Sequence, residues 1–122
     1  MGFLFVFLGG GLGALGRYGV SILTRGYLLL SFPWATFIAN LIGALLIGLI
    51  IAWGEKHALS LNMKLFLVTG LLGGFTTFSA FSLESAAMLQ RGDYALCAIY
   101  VLASVAGTLA LVFAGKFLGG LI

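Results

Sequence analysis

Charged residues are rare along this chain, and long apolar stretches separate them. Four of these stretches hold at most one charge each. They are close to, or longer than, the about 20 residues that a helix needs to cross a hydrocarbon layer about 30 Å thick. The pattern therefore predicts an all-α protein with four membrane-spanning helices in one domain that takes in residues 1–122. The helices are predicted near Phe3–Leu23, Trp34–Trp53, Lys64–Leu89 and Tyr94–Leu118.

Small residues recur at four-residue spacing in the first two spans. Gly9 and Gly13 lie at GxxxG spacing in the first, and Asn40, Ala44 and Gly48 form a stripe in the second. Helices in lipid associate through small residues that let their backbones touch, because lipid tails supply no hydrophobic drive between them. The spacing therefore predicts tight packing within a helix bundle.

The third span contains a predicted break. Gly73 and Gly74 come shortly before the β-branched pair Thr76 and Thr77, and this composition makes a poor continuous helix. Inside a bilayer, non-helical backbone is tolerated only where its freed N–H and C=O groups find ligands or water. The break near 73–77 therefore predicts an ion site at the middle of the membrane.

Polar and aromatic side chains recur at helical spacing around this break. Phe78 and Phe81 lie on one side of the helix that follows it, with the hydroxyl of Ser79 beside them. The other spans contribute Thr36, Asn40, Tyr100, Ser104 and Thr108. Taken singly, each polar residue could simply form hydrogen bonds between helices. Their common periodicity beside a broken helix favours the lining of a pathway.

The composition agrees with helices in lipid. Of the 122 residues, 62% are hydrophobic and only 7% are charged. A soluble domain of this size could not cover its surface with so few polar groups. We therefore expect a multi-pass protein of the cell inner (plasma) membrane, with the bilayer as one of its partners.

The basic residues are balanced across the membrane. Four crossings place three of them on each side: Lys56, Lys64 and Lys116 on one, and Arg17, Arg25 and Arg91 on the other. An excess of Lys and Arg normally fixes the cytoplasmic side, so this balance leaves the orientation undetermined. The chain could insert both ways up and pair antiparallel about a two-fold axis in the membrane plane. A single orientation with a weak charge bias is equally compatible with the count.

The predicted lining suits an anion better than a cation. Cation pathways ordinarily need a carboxylate inside the span, and the one candidate, Glu84, lies towards the end of the third helix. Hydroxyl and amide groups donate hydrogen bonds, and the edge of a phenylalanine ring carries positive potential. These residues favour a small dehydrated anion without specifying which one.

Three segments resemble the fluoride-channel family known as Fluc or CrcB. Segment 73–84, GGFTTFSAFSLE, is similar to the family signature GG-x-TTFSTF-S-x-E, with Ala80 in place of the usual threonine. Segment 10–18, GGLGALGRY, resembles the family's first-helix pattern. Segment 33–40, PWATFIAN, resembles P-x-GT-xxx-N, with Ala35 in place of glycine.

The resemblance implies a dual-topology antiparallel homodimer with two pores that export fluoride passively, without enzymatic turnover. The implied pore residues are Arg17, Thr36, Asn40, Phe78, Ser79, Phe81, Tyr100, Ser104 and Thr108. It also implies that backbone carbonyls of Gly73 and Thr76 from both copies hold a structural sodium ion (Na+) at the dimer interface. The implied partners are fluoride, a second copy and the bilayer, and no nucleic acid.

Two other classes of small membrane protein compete with this interpretation. Dual-topology exporters of cationic drugs have a similar length, but they need a glutamate in the first helix, and Met1–Leu23 contains no acid. An accessory subunit that only packs on a larger complex would have no use for a broken helix and its polar column.

Overall fold

The computed structural model describes residues 1–26 and 31–122, and over these ranges it is helical with short connections and no strand. Four helical segments are long and apolar enough to cross a membrane: Gly2–Thr24, Trp34–Lys56, Leu61–Arg91 and Tyr94–Leu121. The four predicted spans are thus confirmed, and each extends beyond its predicted ends by no more than about one helical turn. We call the first two α1 and α2, and the last α5.

The third span changes its helical form twice before it breaks. Its first part, 61–75, here α3, begins as one α-helical turn at Leu61–Lys64 and continues as a π-helix over Leu65–Leu72. A final α-helical turn, Gly73–Phe75, ends it. The second part, α4, is the α-helix Phe78–Arg91.

The predicted break is confirmed, and two extended residues form it. Thr76 has φ −83° and ψ 157°, and Thr77 has φ −152° and ψ 121°. The N–H and the hydroxyl of Thr76 both donate to the carbonyl of Leu72, each at 2.9 Å, which closes the end of α3. The Thr77 hydroxyl accepts from the N–H of Ala80 at 3.1 Å and caps the start of α4. One threonine therefore ends a helix and the next begins one.

Glycines set the closest helix contacts, as the small-residue spacing predicts. Helix α1 packs mainly on α3, and α2 packs mainly on α5. A Cβ added to Gly13 would lie 2.8 Å from the amide nitrogen of Phe75. One added to Gly48 would lie 2.9 Å from the amide nitrogen of Lys116. Both helix pairs therefore meet backbone against backbone.

The outward faces of the helices are apolar. Large side chains such as Phe3, Phe7, Leu102, Phe113 and Phe117 are mostly exposed in the single chain. A soluble protein would not leave so much apolar surface in water. These faces therefore suit lipid or a second protein chain.

Replacement of Gly13 by alanine tests the contact between α1 and α3. We expect Gly13→Ala to lower the free energy of unfolding by about 1–3 kcal/mol or more, because the new methyl overlaps the backbone of α3. Gly11→Ala is the matched control, since a Cβ there meets nothing within 4 Å. It should be neutral or slightly stabilising, because alanine is the better helix former. Thermal unfolding in detergent measures both, and equal losses would contradict the prediction.

Candidate functional site

A cavity of about 360 Å³ lies beside the break in the third span. Helices α2, α3, α4 and α5 all contribute to its walls. The structure brings five of the predicted pore residues to it: Asn40, Phe78, Phe81, Ser104 and Thr108. The two predicted carbonyl ligands, Gly73 and Thr76, border the same cavity. The break and most of the polar column therefore belong to one site.

The two phenylalanines stand together at this cavity, on the first turn of α4. Their ring centroids are 5.4 Å apart, and the planes are tilted by 37°. Phe81 is half-buried and packs on Tyr100 with centroids 5.1 Å apart. Phe78 is 78% exposed although its ring is fully apolar. The cavity is therefore incomplete on the Phe78 side in a single chain.

Helix α5 brings two hydroxyls to the cavity, and they differ in what they bond. Thr108 donates to the carbonyl of Ser104 at 2.7 Å, within its own helix. Ser104 is only 7% exposed, and its Oγ finds no hydrogen-bond partner among the residues that the structure describes. An unsatisfied buried hydroxyl costs free energy. Ser104 is therefore the side chain best placed to donate to a ligand in this cavity.

Asn40 holds the break in place from α2. Its Nδ2 donates to the carbonyl of Thr77 at 3.0 Å, and its Oδ1 accepts from the N–H of Thr77 at 2.8 Å. Both backbone groups of one non-helical residue are thereby satisfied by one amide side chain. Asn40 lines the cavity, and its amide also anchors the backbone that shapes the cavity.

Two predicted pore residues do not line this cavity but meet a carboxylate behind it. Thr36 donates to Oε1 of Glu84 at 2.6 Å, and the hydroxyl of Tyr100 donates to Oε2 at 2.7 Å. Tyr100 is fully buried. Glu84, which the sequence places towards the end of the third helix, therefore connects α2, α4 and α5.

Arg17 lies at a second cavity, of about 390 Å³. Thr36 and Glu84 line the same cavity, so a cation and an acid face one space. Among the residues described, Arg17 forms no ion pair with Glu84. Its Nε donates instead to the carbonyl of Gly74 at 3.2 Å, at the end of α3. Thr77 lines both cavities.

Ser79 lies at neither cavity. It is exposed on the outer face of α4, and its Oγ is 3.2 Å from the hydroxyl of Thr77. Its place among the pore residues stays a prediction, because in the single chain the first turn of α4 leaves Ser79 outside both cavities.

The carbonyls around the break divide into bonded and free groups. Those of Leu72, Gly74 and Thr77 accept the hydrogen bonds described above. Among the described residues, nothing donates to the carbonyls of Gly73 or Thr76. No cluster of three or more His, Cys, Asp or Glu side chains occurs in these ranges either. The ligands available to a cation here are therefore backbone carbonyl oxygens, which suit hard cations better than transition metals.

The chain is similar to known proteins over most of its length. The family model described as "CrcB-like protein, Camphor Resistance (CrcB)" matches residues 4–116. The chain belongs to the CrcB family. A protein named fluoride-specific ion channel FluC in Rhodopseudomonas palustris is 48% identical over 116 residues, which cover 94% of each chain. A protein of the same name in Thermus thermophilus is 46% identical over 118 residues, covering 97% of this chain and 94% of the relative.

Two residues of this CrcB-family site, Thr77 and Glu84, were not among the predicted site residues. They lie seven residues apart, which places them two turns apart on one face of the helix. That face meets Asn40 and Thr36, which are four residues apart on α2. The matched spacing on the two spans is the signal in the sequence that pairs these residues.

Loss of the Asn40 amide should weaken the whole break. We expect Asn40→Ala to lower the free energy of unfolding by about 1–3 kcal/mol, because the N–H and carbonyl of Thr77 lose their partner. Ser82→Ala is the matched control, since the Ser82 hydroxyl is exposed and donates only to Phe78 in its own helix. Denaturation monitored by circular dichroism compares them. An Asn40→Ala protein as stable as Ser82→Ala would show that the amide does not anchor the break.

Proposed function

We propose that this chain forms a fluoride-selective channel that releases fluoride passively from the cytoplasm and so protects the cell from fluoride toxicity. The observation that carries the proposal is the 48% identity, over 94% of both chains, to a relative named fluoride-specific ion channel. The cavity beside the break supports it independently. This cavity offers a free buried hydroxyl and two phenylalanine rings, with no carboxylate on its walls.

The proposed lining replaces the hydration of a small anion with weak donors. The Ser104 hydroxyl can donate a hydrogen bond, and the ring edges of Phe78 and Phe81 carry positive potential. Conduction requires binding strong enough for entry and weak enough for exit, which favours several modest contacts over one strong charge. Arg17 lies outside this cavity, at the neighbouring one, where its charge would raise the local anion concentration.

No chemical energy source is needed in this mechanism. In acidic surroundings fluoride enters cells as neutral HF. The HF dissociates in the more neutral cytoplasm, where the fluoride anion accumulates. The membrane potential is worth about 2.3 kcal/mol per charge per 100 mV, and its sign drives an anion outward. We accordingly propose the cell inner membrane as the location.

The channel is proposed to be an antiparallel homodimer with two pores. The near balance of basic residues towards the two membrane faces, with Lys56, Lys64 and Lys116 on one side and Arg25 and Arg91 on the other, supports insertion in both orientations. The exposed ring of Phe78 supports a second chain at this face, because a copy placed there would complete the cavity wall. A two-fold axis would repeat the cavity, which gives two pores per dimer.

A structural sodium ion is proposed at the interface between the two copies. The free carbonyls of Gly73 and Thr76 fit this role, since they are oxygen donors with no hydrogen bond from the described residues. Gly73 is exposed in the single chain, so its carbonyl is open to a neighbouring copy. A sodium ion bound there would neutralise the carbonyl dipoles that the break leaves at membrane depth.

Fluoride efflux from liposomes tests the function. Wild-type protein should release fluoride, and release of chloride should be far slower. Phe78→Ile and Phe81→Ile should each reduce fluoride flux sharply, because they keep apolar bulk but remove a ring edge of positive potential. Phe113→Ile is the matched control on the outward face of α5. Equal flux in all four proteins would leave the rings with a packing role alone.

Added charge tests the antiparallel dimer. Three lysines placed in the connection between α2 and α3 should force most chains into one orientation. Flux should then fall strongly, and it should return when a partner biased the other way by three lysines between α4 and α5 is co-expressed. Full flux from either biased protein alone would rule out antiparallel pairing.

Removal of sodium tests the structural ion. Complete exchange of sodium for a bulky organic cation should lower the thermal stability of the purified dimer and stop fluoride flux. Potassium is the control for ionic strength. Readdition of sodium should restore both properties, and no labelled sodium should move with fluoride. Unchanged stability after verified removal would refute the proposed ion.

A further inference from the structure

The π-helical segment Leu65–Leu72 lies immediately before the last turn of α3. Its hydrogen bonds run from residue i to i+5, so each turn encloses one more residue than an α-helical turn does. A π-helix is therefore equivalent to an α-helix into which one residue has been inserted. Such segments are rare and tend to occur at functional sites.

The wide turns place one face of α3 against α1. A Cβ on Gly9 would collide with the carbonyl of Phe66, and one on Gly13 would collide with the carbonyl of Leu71. A Cβ on Gly13 would also lie 2.8 Å from the amide nitrogen of Phe75. Along this face, successive contacts with α1 are five residues apart inside the π-helix, from Phe66 to Leu71. The next contact, Phe75, follows four residues later.

On the opposite face of α3, the residues that line the cavity have a different spacing. Val68, Leu72 and Thr76 line the cavity beside the break, and they lie four residues apart. Each residue of an α-helix advances about 100° around the helix axis. A row of contacts spaced by five residues and a row spaced by four would therefore change their angular separation within two turns. The π-helix accommodates both, which lets α3 meet the glycines of α1 and the cavity at the same time.

We propose that Leu65–Leu72 carries one surplus residue, Thr69, which keeps Val68 in register with Leu72 and Thr76 at the cavity while the contacts of α3 with α1 do not depend on it. Thr69 is exposed in the middle of the segment, and among the described residues its side chain forms no hydrogen bond. Removal of this residue converts the segment to an α-helix, whose tighter turns compensate for the missing residue. The N-terminal part of α3 and the break then both keep their faces towards α1. This inference does not depend on which ion the protein conducts.

The test is deletion of Thr69 in the full chain, with cysteine pairs that report on both ends of the segment. In a Cys97→Ser background, Gly2→Cys with Leu65→Cys reports on the N-terminal end, where a Cβ on Gly2 would lie 3.1 Å from the Leu65 side chain. Gly16→Cys with Phe75→Cys reports on the end next to the break, where the corresponding distance is 3.3 Å. A short bifunctional thiol reagent should link both pairs in the parent chain and in the deletion variant.

Two controls separate residue count from side-chain loss. Thr69→Ala should behave as the parent chain. Deletion of Leu102, an exposed residue in the α-helical α5, should abolish folding, because no π-helix there can close up. The expected result for deletion of Thr69 is a folded protein with both cross-links, within about twofold of the parent in yield.

Two results would overturn the proposal. Retention of the Gly16–Phe75 link with loss of the Gly2–Leu65 link would mean that the N-terminal part of α3 rotates instead of tightening. Failure of the deletion variant to fold, with folding restored by an alanine inserted between Leu65 and Phe66, would mean that the segment needs its full number of residues.

Discussion

A helix that breaks inside a membrane exposes backbone groups where water cannot reach them, and most of this structure serves to satisfy those groups. Asn40 bonds both polar groups of Thr77, Arg17 reaches the carbonyl of Gly74, and Thr76 closes the end of α3 on Leu72. The first two partners come from other helices, α2 and α1, and the third contact is local to the third span. The break is thus fixed by its surroundings, because the extended threonines cannot satisfy themselves.

The two charges inside the spans are held in the same manner. Glu84 receives one hydroxyl from α2 and another from α5, which spreads its charge over two donors. Arg17 uses its Nε on the negative end of the α3 helix. Both charges face a common cavity without forming a direct ion pair, within the part of the chain described. A direct pair would neutralise both groups, whereas this arrangement leaves each charge able to act on ions or water.

The spans and the break could be predicted from the sequence because each depends on local composition. Length and apolar character define the four helices, and two glycines with two threonines define the break. The division of roles among the polar residues could not be predicted, because it depends on which helices become neighbours. Thr36 and Tyr100 share the periodicity of the pore-facing residues, yet they bond Glu84. The π-helix likewise leaves no mark in composition, since it arises from the fit of α3 to α1.

Thr77 lines both cavities, and its N–H and its carbonyl are both bonded to the amide of Asn40. An ion that passed from one cavity to the other at this residue would therefore meet backbone whose polar groups are already bonded to one side chain. The closest fit between protein and ion would then be confined to one residue with a cavity on either side. Discrimination by size and fast passage are then compatible, because only one residue has to fit the ion closely.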